Sequence, residues 1–198
     1  MFNADALIFD CDGTLADSMP VHYLASRAVF AAHGLDFPET RFYELAGVPT
    51  REIVALLAGE QRKHLDTDVD RITREKEEWF LSHLELVEPI PWVVEQARSY
   101  RGKLPLAVAS GGVRWIVEAQ LERIGLKGHF DAIVTSDQVE RHKPDPQVFL
   151  EAARRLGVAP ERCLVFEDGE LGFEAARRAG MPWIDVRPHH PVGRWRQG

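Results

Sequence analysis

The sequence predicts an α/β protein: a doubly wound, Rossmann-like parallel sheet with an all-helical block inserted after its first strand. Three observations carry this expectation. From residue 92 onward, short apolar runs alternate with helical stretches, and helical patterns stop at Gly125, Gly157 and Gly180. The apolar runs are nearly continuous, as strands covered on both faces require. One more such run stands near the N-terminus, separated from the rest by residues 36–87, where the spacing is helical throughout.

Taken in order, ALIFD at 6–10 is a short apolar run closed by the turn pair Asp12-Gly13, and reads as a buried strand. Over 20–33, Val21, Leu24, Ala28, Ala31 and Ala32 recur at helical spacing before Gly34. Helical patterns follow at 38–46 and 51–57, then along an amphipathic run at 69–86. After VEPIP at 87–91 the character changes. Helices are expected at 92–100, 113–124, 146–156 and 172–179, with strands at 104–110, 132–136, 162–168 and 182–186. The division is a core of residues 1–16 plus 88–198 and a helical block of 17–87.

The chain has 198 residues, 45% hydrophobic and 28% charged, which suits an ordinary globular core with a modest insertion. Against 24 Lys+Arg stand 31 Asp+Glu, a formal net charge of −7. That balance argues against sequence-independent binding of nucleic acid, and at face value against any phosphorylated ligand. Cys11 and Cys163 lie inside apolar runs and read as buried thiols of a reducing compartment. The N-terminus lacks the basic start of a signal peptide, and no apolar stretch is long enough to span a membrane. The expectation is a cytoplasmic protein.

Four of the five expected strands end in a polar residue: Asp10, Ser110, Ser136 and Asp168. In such folds ligands sit beyond the carboxyl ends of the strands. FDCDGTLADS at 9–18 places Asp10 and Asp12 together at one strand end. Burying both demands a cation or hydrogen bonds, although a simple Asp-Gly turn accounts for the same letters. Ser110, with Gly111 and Gly112, can present a hydroxyl and backbone N–H groups to an anion, or be a plain helix cap. Lys143 in HKPDP precedes a helix across a proline. Glu167 and Asp168 follow CLVF, and a helix cap explains Asp168 but not Glu167. Four acids and a lysine on one sheet edge suggest a hard divalent cation beside a phosphate site.

The stations DCDGTLADS, VASGG, KPDP and FEDGELGFEAARRAGM, in that order, resemble those of the haloacid dehalogenase superfamily, in its phosphatase and phosphomutase branch with a helical cap. The resemblance implies that Asp10 is the nucleophile that becomes an aspartyl-phosphate and Asp12 the general acid and base. It implies Mg²⁺ held by the Asp10 carboxylate, the Asp12 backbone carbonyl and Asp168, with Glu167 ligating through water. Ser110, Gly111 and Lys143 would bind the phosphoryl group. Gly169, Gly111-Gly112 and Cys11 depart from the usual residues of these motifs, and none of them removes a reactive group.

His22, Arg51 in GVPTREI and Lys76 in REKEEW match cap and hinge positions of the β-phosphoglucomutase-like subgroup. The resemblance implies that Arg51 grips a distal group of the substrate, Lys76 contacts the sugar and His22 supports the general acid. By charge pattern alone, REKEE at 74–78 is a solvated helix face. VEPIPWV and the late DVR resemble fructose-1-phosphate and 6-phosphogluconate phosphatases. The implied activity is hydrolysis of a small sugar or polyol phosphate. A β-phosphoglucomutase is the alternative, and a non-catalytic sugar-phosphate-binding module the reading from another class. A monomer or weak dimer is expected. Trp79, Trp92, Trp115 and Trp183 read as core or cap-packing residues, and PHHPVGRWRQG as a loose polar tail in place of a further helix.

Overall fold

A computed structural model describes residues 2–190. The chain opens with β1 (Ala6–Phe9) and β2 (Ala16–Asp17), then enters helices α1 (Met19–Ala32), α2 (Glu39–Glu44), α3 (Thr50–Glu60) and α4 (Val69–Ser82). It returns through β3 (Glu88–Pro89) and α5 (Pro91–Tyr100). Strands and helices then alternate: β4 (Leu106–Ala109), α6 (Arg114–Arg123), β5 (Ala132–Val134), α7 (Gln147–Leu156), β6 (Cys163–Glu167), α8 (Glu170–Arg178) and β7 (Trp183–Asp185). The tail residues 191–198 lie outside the described residues.

The five long-range strands form one parallel sheet in the order β5-β4-β1-β6-β7, as the alternating pattern predicts. β1 is central, with Leu7 opposite both Leu106 and Leu164. Its two faces differ in bulk. Leu7, Phe9, Val108 and Phe166 fill one side against Val93, Ile116, Val117 and Leu121 of α5 and α6. Ala6, Ile8, Ala107, Ala109 and Val165 face α7 and α8, where Phe149 and Ala152 pack close. Small residues on that side let the helices approach the strands. The insertion keeps its own cluster, with Phe30, Phe37, Phe42, Val54, Leu57 and Ile72 packed together. Among the described residues no helix is long and apolar enough to cross a membrane.

Four expectations change. β2 and β3 pair as an antiparallel ribbon, Ala16 opposite Pro89 and Asp17 opposite Glu88. Strands this short have no readable periodicity. The run at 69–86 breaks at His83, whose ring stacks on Trp79 and donates from Nδ1 to the Trp79 carbonyl at 2.9 Å, before a 3₁₀ turn at Leu84–Leu86. Trp115 and Trp183 are exposed rather than core. Trp115 projects from α6 beside the inward Ile116, and Trp183 lies on the edge strand against Phe173. The start of the supposed loose tail is ordered: Arg187–His189 form a 3₁₀ turn that stacks His189 on Trp92 at 3.7 Å.

Phe166 ties this core together, stacked on Phe9 at 4.6 Å between ring centroids and touching Phe2 edge-on. Replacing Phe166 by Ala is expected to lower the unfolding free energy by about 3–5 kcal/mol, measured by urea denaturation.

Candidate active site

The carboxyl ends of β1, β4 and β6 meet at the middle of the sheet. β1 delivers Asp10, and the chain then turns sharply at Gly13, whose φ of +81° favours glycine. Gly13 is also irreplaceable for space, because a Cβ there would lie 2.1 Å from Asp168 Oδ2. The turn is closed by Gly13 N–H donating to the Ala16 carbonyl at 2.8 Å.

Lys143 reaches into this edge from the segment before α7. Its Nζ donates to Asp10 Oδ1 and to Glu167 Oε2, both at 2.7 Å, while lying 4.8 Å from the centre of the Phe149 ring. Burial opposes the charge on Lys143, but Asp10 and Glu167 outweigh it and hold the ammonium well above its ordinary pKa. Glu167 is fixed further by the backbone N–H groups of Asp168 and Gly169 on Oε1. Gly172 makes room for it, since a Cβ there would sit 2.0 Å from Glu167 Cδ. Thr14 Oγ1 donates to Asp168 Oδ1 at 3.1 Å.

Asp10, Glu167 and Asp168 offer oxygens that all lie within 4.8 Å of one another. Burial and the charge of Glu167 push the Asp10 carboxyl up to about 8, with Lys143 opposing. Burial, Glu167 and Asp10 likewise raise Asp168 well above the carboxylate range. Such crowding of acids around one ammonium fits a hard, oxygen-seeking divalent cation. Cys11, between the two aspartates, is buried; desolvation and the neighbouring carboxylates raise its thiol far above the ordinary value and leave it unreactive.

Asp12 has a separate set of partners. Ser18 Oγ at 2.7 Å, Gln120 Nε2 at 2.8 Å and His22 Nε2 at 2.9 Å all converge on its Oδ1. Burial works against ionisation of Asp12, but these contacts, those of His22 foremost, hold its carboxyl well below the usual range. His22 stacks on Phe80 at 3.9 Å, and its Nδ1 meets Lys76 Nζ at 2.9 Å. An ammonium only donates, so Nδ1 accepts and the ring proton lies on Nε2, facing Asp12. Lys76 in turn donates to Glu77 Oε1 at 3.0 Å. It is 4% exposed, so the solvated-face reading of REKEE fails at this position. Ile72, Lys76 and Phe80 form the buried stripe of α4, and that stripe points Lys76 inward.

Ser110 is buried at the end of β4, where its Oγ accepts from Gly112 N–H at 2.9 Å. α6 begins only at Arg114, so Ser110 is no helix cap, and Gly111 lies exposed in the intervening loop. Arg51 is not brought to the cluster; it is exposed and pairs with Asp70 at 3.2 Å. Sequence reasoning left out Thr14, Ser18, Gln120, Gly172 and His190. His190 Nε2 donates to the Gly13 carbonyl at 2.7 Å, and burial lowers its pKa, which suits a neutral ring.

The profile of the haloacid dehalogenase-like hydrolases matches residues 7–186. The chain belongs to that family. It is 42% identical over 182 residues to the fructose-1-phosphate phosphatase YqaB of Escherichia coli, covering 91% of this chain and 95% of that one. It is 37% identical to the phosphorylated carbohydrates phosphatase of Thermotoga maritima, over 91% of this chain and 83% of that one. The crystal structure of CbbY from Rhodobacter sphaeroides in complex with phosphate superposes with a TM-score of 0.84 at 30% identity, covering 92% and 85% of the two chains. The α/β fold with its parallel sheet is thus that of this hydrolase family.

The folded Asp10 carboxyl, near 8, holds its proton more tightly than an unfolded one at 3.8. Its contribution to stability is therefore complete below the unfolded value and lost as pH rises through the folded one. A divalent cation held by Asp10 would compete with that proton. Replacing EDTA by Mg²⁺ is expected to raise Tm, and by more near pH 8 than near pH 6 in thermal-shift measurements. An equal rise at both would remove Asp10 from the cation site.

Proposed function

We propose that this hydrolase is a magnesium-dependent phosphatase of small sugar or polyol phosphates, such as fructose 1-phosphate or 6-phosphogluconate. The observation that carries the reading is the division of labour between two neighbouring aspartates. Asp10 is held by Lys143 as an oxygen nucleophile, whereas Asp12 is held apart from that cluster by Ser18, His22 and Gln120. One attacks phosphorus and the other handles the proton.

In the first step Asp10 attacks phosphorus, the ester P–O bond breaks and Asp12, which gains a proton as the anionic phosphate ester binds beside it, passes that proton to the departing sugar oxygen. In the second, water attacks the aspartyl-phosphate while Asp12 takes its proton, and Asp10 leaves as a carboxylate. Ser110 Oγ, the Gly111 backbone and Lys143 Nζ orient the phosphoryl oxygens, and Lys143 offsets their charge. The Asp10 and Asp168 carboxylates and the Asp12 carbonyl would hold Mg²⁺, with Glu167 behind them through water. When bound, the ion supplies positive charge that lets two anions approach each other.

Residues 17–87 act as the cap that selects the substrate. Lys76 and His22 tie it to Asp12, and Arg51 exchanges Asp70 for a distal anionic or hydroxyl group of the sugar. The activities for which the relatives are named, on fructose 1-phosphate and on phosphorylated carbohydrates, support this substrate class.

The test is phosphate release from a panel of sugar phosphates with Mg²⁺, run with and without a bisphosphate primer. At least one hexose phosphate is expected to turn over, and Asp10→Asn to reduce kcat by about 10³-fold or more. Silence across the panel would defeat the reading. Primer-dependent interconversion without net release would assign a mutase instead.

A further inference from the structure

Gln120 is an amide where α6 otherwise buries apolar side chains. It is fully buried on the stripe formed with Ile116, Val117 and Leu121. Its Nε2 donates to Asp12 Oδ1 at 2.8 Å, but its Oε1 is buried with no hydrogen-bond partner among the described residues. An unpaired buried carbonyl is destabilising, and a leucine of similar bulk would avoid it. Core packing therefore does not explain this residue. Its one polar contact does.

That contact completes the set on a single oxygen. Ser18 and His22 approach Asp12 Oδ1 from the start of α1, in the insertion, whereas Gln120 approaches from α6 on the sheet. Oδ1 is thereby occupied from both sides. Oδ2 faces the loop after β4 instead. A Cβ on Gly112 would lie 3.4 Å from Asp12 Oδ2 and 3.3 Å from Ser110 Oγ. The missing side chain at Gly112 leaves clear the ground that both atoms border.

We infer that Gln120 is a positioning residue for Asp12: its amide fixes Oδ1 from the sheet side, so that Oδ2 exchanges the proton with the phosphate ester. The inference rests on the phosphatase reading above. In the first step the Oδ2 proton passes to the sugar oxygen as the ester P–O bond breaks. In the second, Oδ2 receives a proton from the attacking water as the bond from phosphorus to Asp10 breaks. Because its anchor is on α6, the aim of Asp12 does not depend on the insertion alone.

The experiment compares wild type with Gln120→Leu on two substrates, the best hexose phosphate of the panel and p-nitrophenyl phosphate. A hexose alkoxide is too basic to leave readily, so the sugar oxygen needs the proton and departs as a hydroxyl; nitrophenolate leaves without one. With the leucine variant, kcat/KM for the hexose phosphate is expected to fall about 10- to 100-fold, mostly in kcat. For the aryl phosphate it should stay within about twofold, because formation of the phosphoenzyme needs no acid there. Tm is expected to hold or rise, since the unpaired carbonyl is gone. If Gln120→Leu does not fold, Gln120→Met, unbranched and equally without a donor, carries the same test. Equal losses on both substrates, or an unchanged hexose rate, would overturn the inference. Wild type inactive on every substrate would instead bring down the phosphatase reading, and this inference with it.

Discussion

Mutual repulsion among Asp10, Glu167 and Asp168 at the end of the central strand is the constraint on which the rest of this structure turns. A buried carboxylate without compensation is strongly unfavourable, and here two buried ones and the half-buried Asp168 share one edge. Lys143 answers part of that repulsion, backbone N–H groups of Asp168 and Gly169 another part, and Thr14 a third. The parallel sheet makes the gathering possible, since β1 and β6 run side by side and bring their carboxyl ends to one edge. The small residues on the α7 side matter for the same reason: they keep that helix, and the segment carrying Lys143, close to β1.

Two glycines serve the same end. Gly13 and Gly172 are places where any side chain would occupy the space of Asp168 or Glu167. The phosphate chemistry of an acidic protein becomes intelligible on these terms. A net charge of −7 describes the surface as a whole. At the sheet edge, a lysine and a group of acids that could hold a cation set the local field.

Much of this was legible in the sequence, for a physical reason. Asp10, Ser110 and Asp168 stand out because a polar residue ending an apolar strand has few structural excuses, and Lys143 because the proline after it bars a helix there. Gln120 was hidden by its surroundings, and Lys76 came to notice through the family resemblance alone. Lys76 lies inside a charged run, yet it falls four residues after Ile72 and four before Phe80, on the apolar stripe. Gln120 follows Ile116 at the same interval. A polar residue in phase with a buried stripe was the available signal in both cases. The ribbon of β2 and β3 gave no such signal, being too short for any period. Exposure of Trp115 and Trp183 was also illegible, because residue type does not say which way a helix or an edge strand turns it.

The ribbon deserves a mechanical reading. The chain leaves the sheet for the insertion and comes back at one place, where β2 and β3 lie side by side. Gly13 N–H is bonded to the Ala16 carbonyl, and Ile90 N–H to the Leu15 carbonyl. The two-stranded link to the helical block is thus built into the turn that carries Asp12. Any swing of the block pulls on that turn first, through a lever arm only a few residues long. On the proposed reading, grip on the substrate and aim of the proton donor would share one axle.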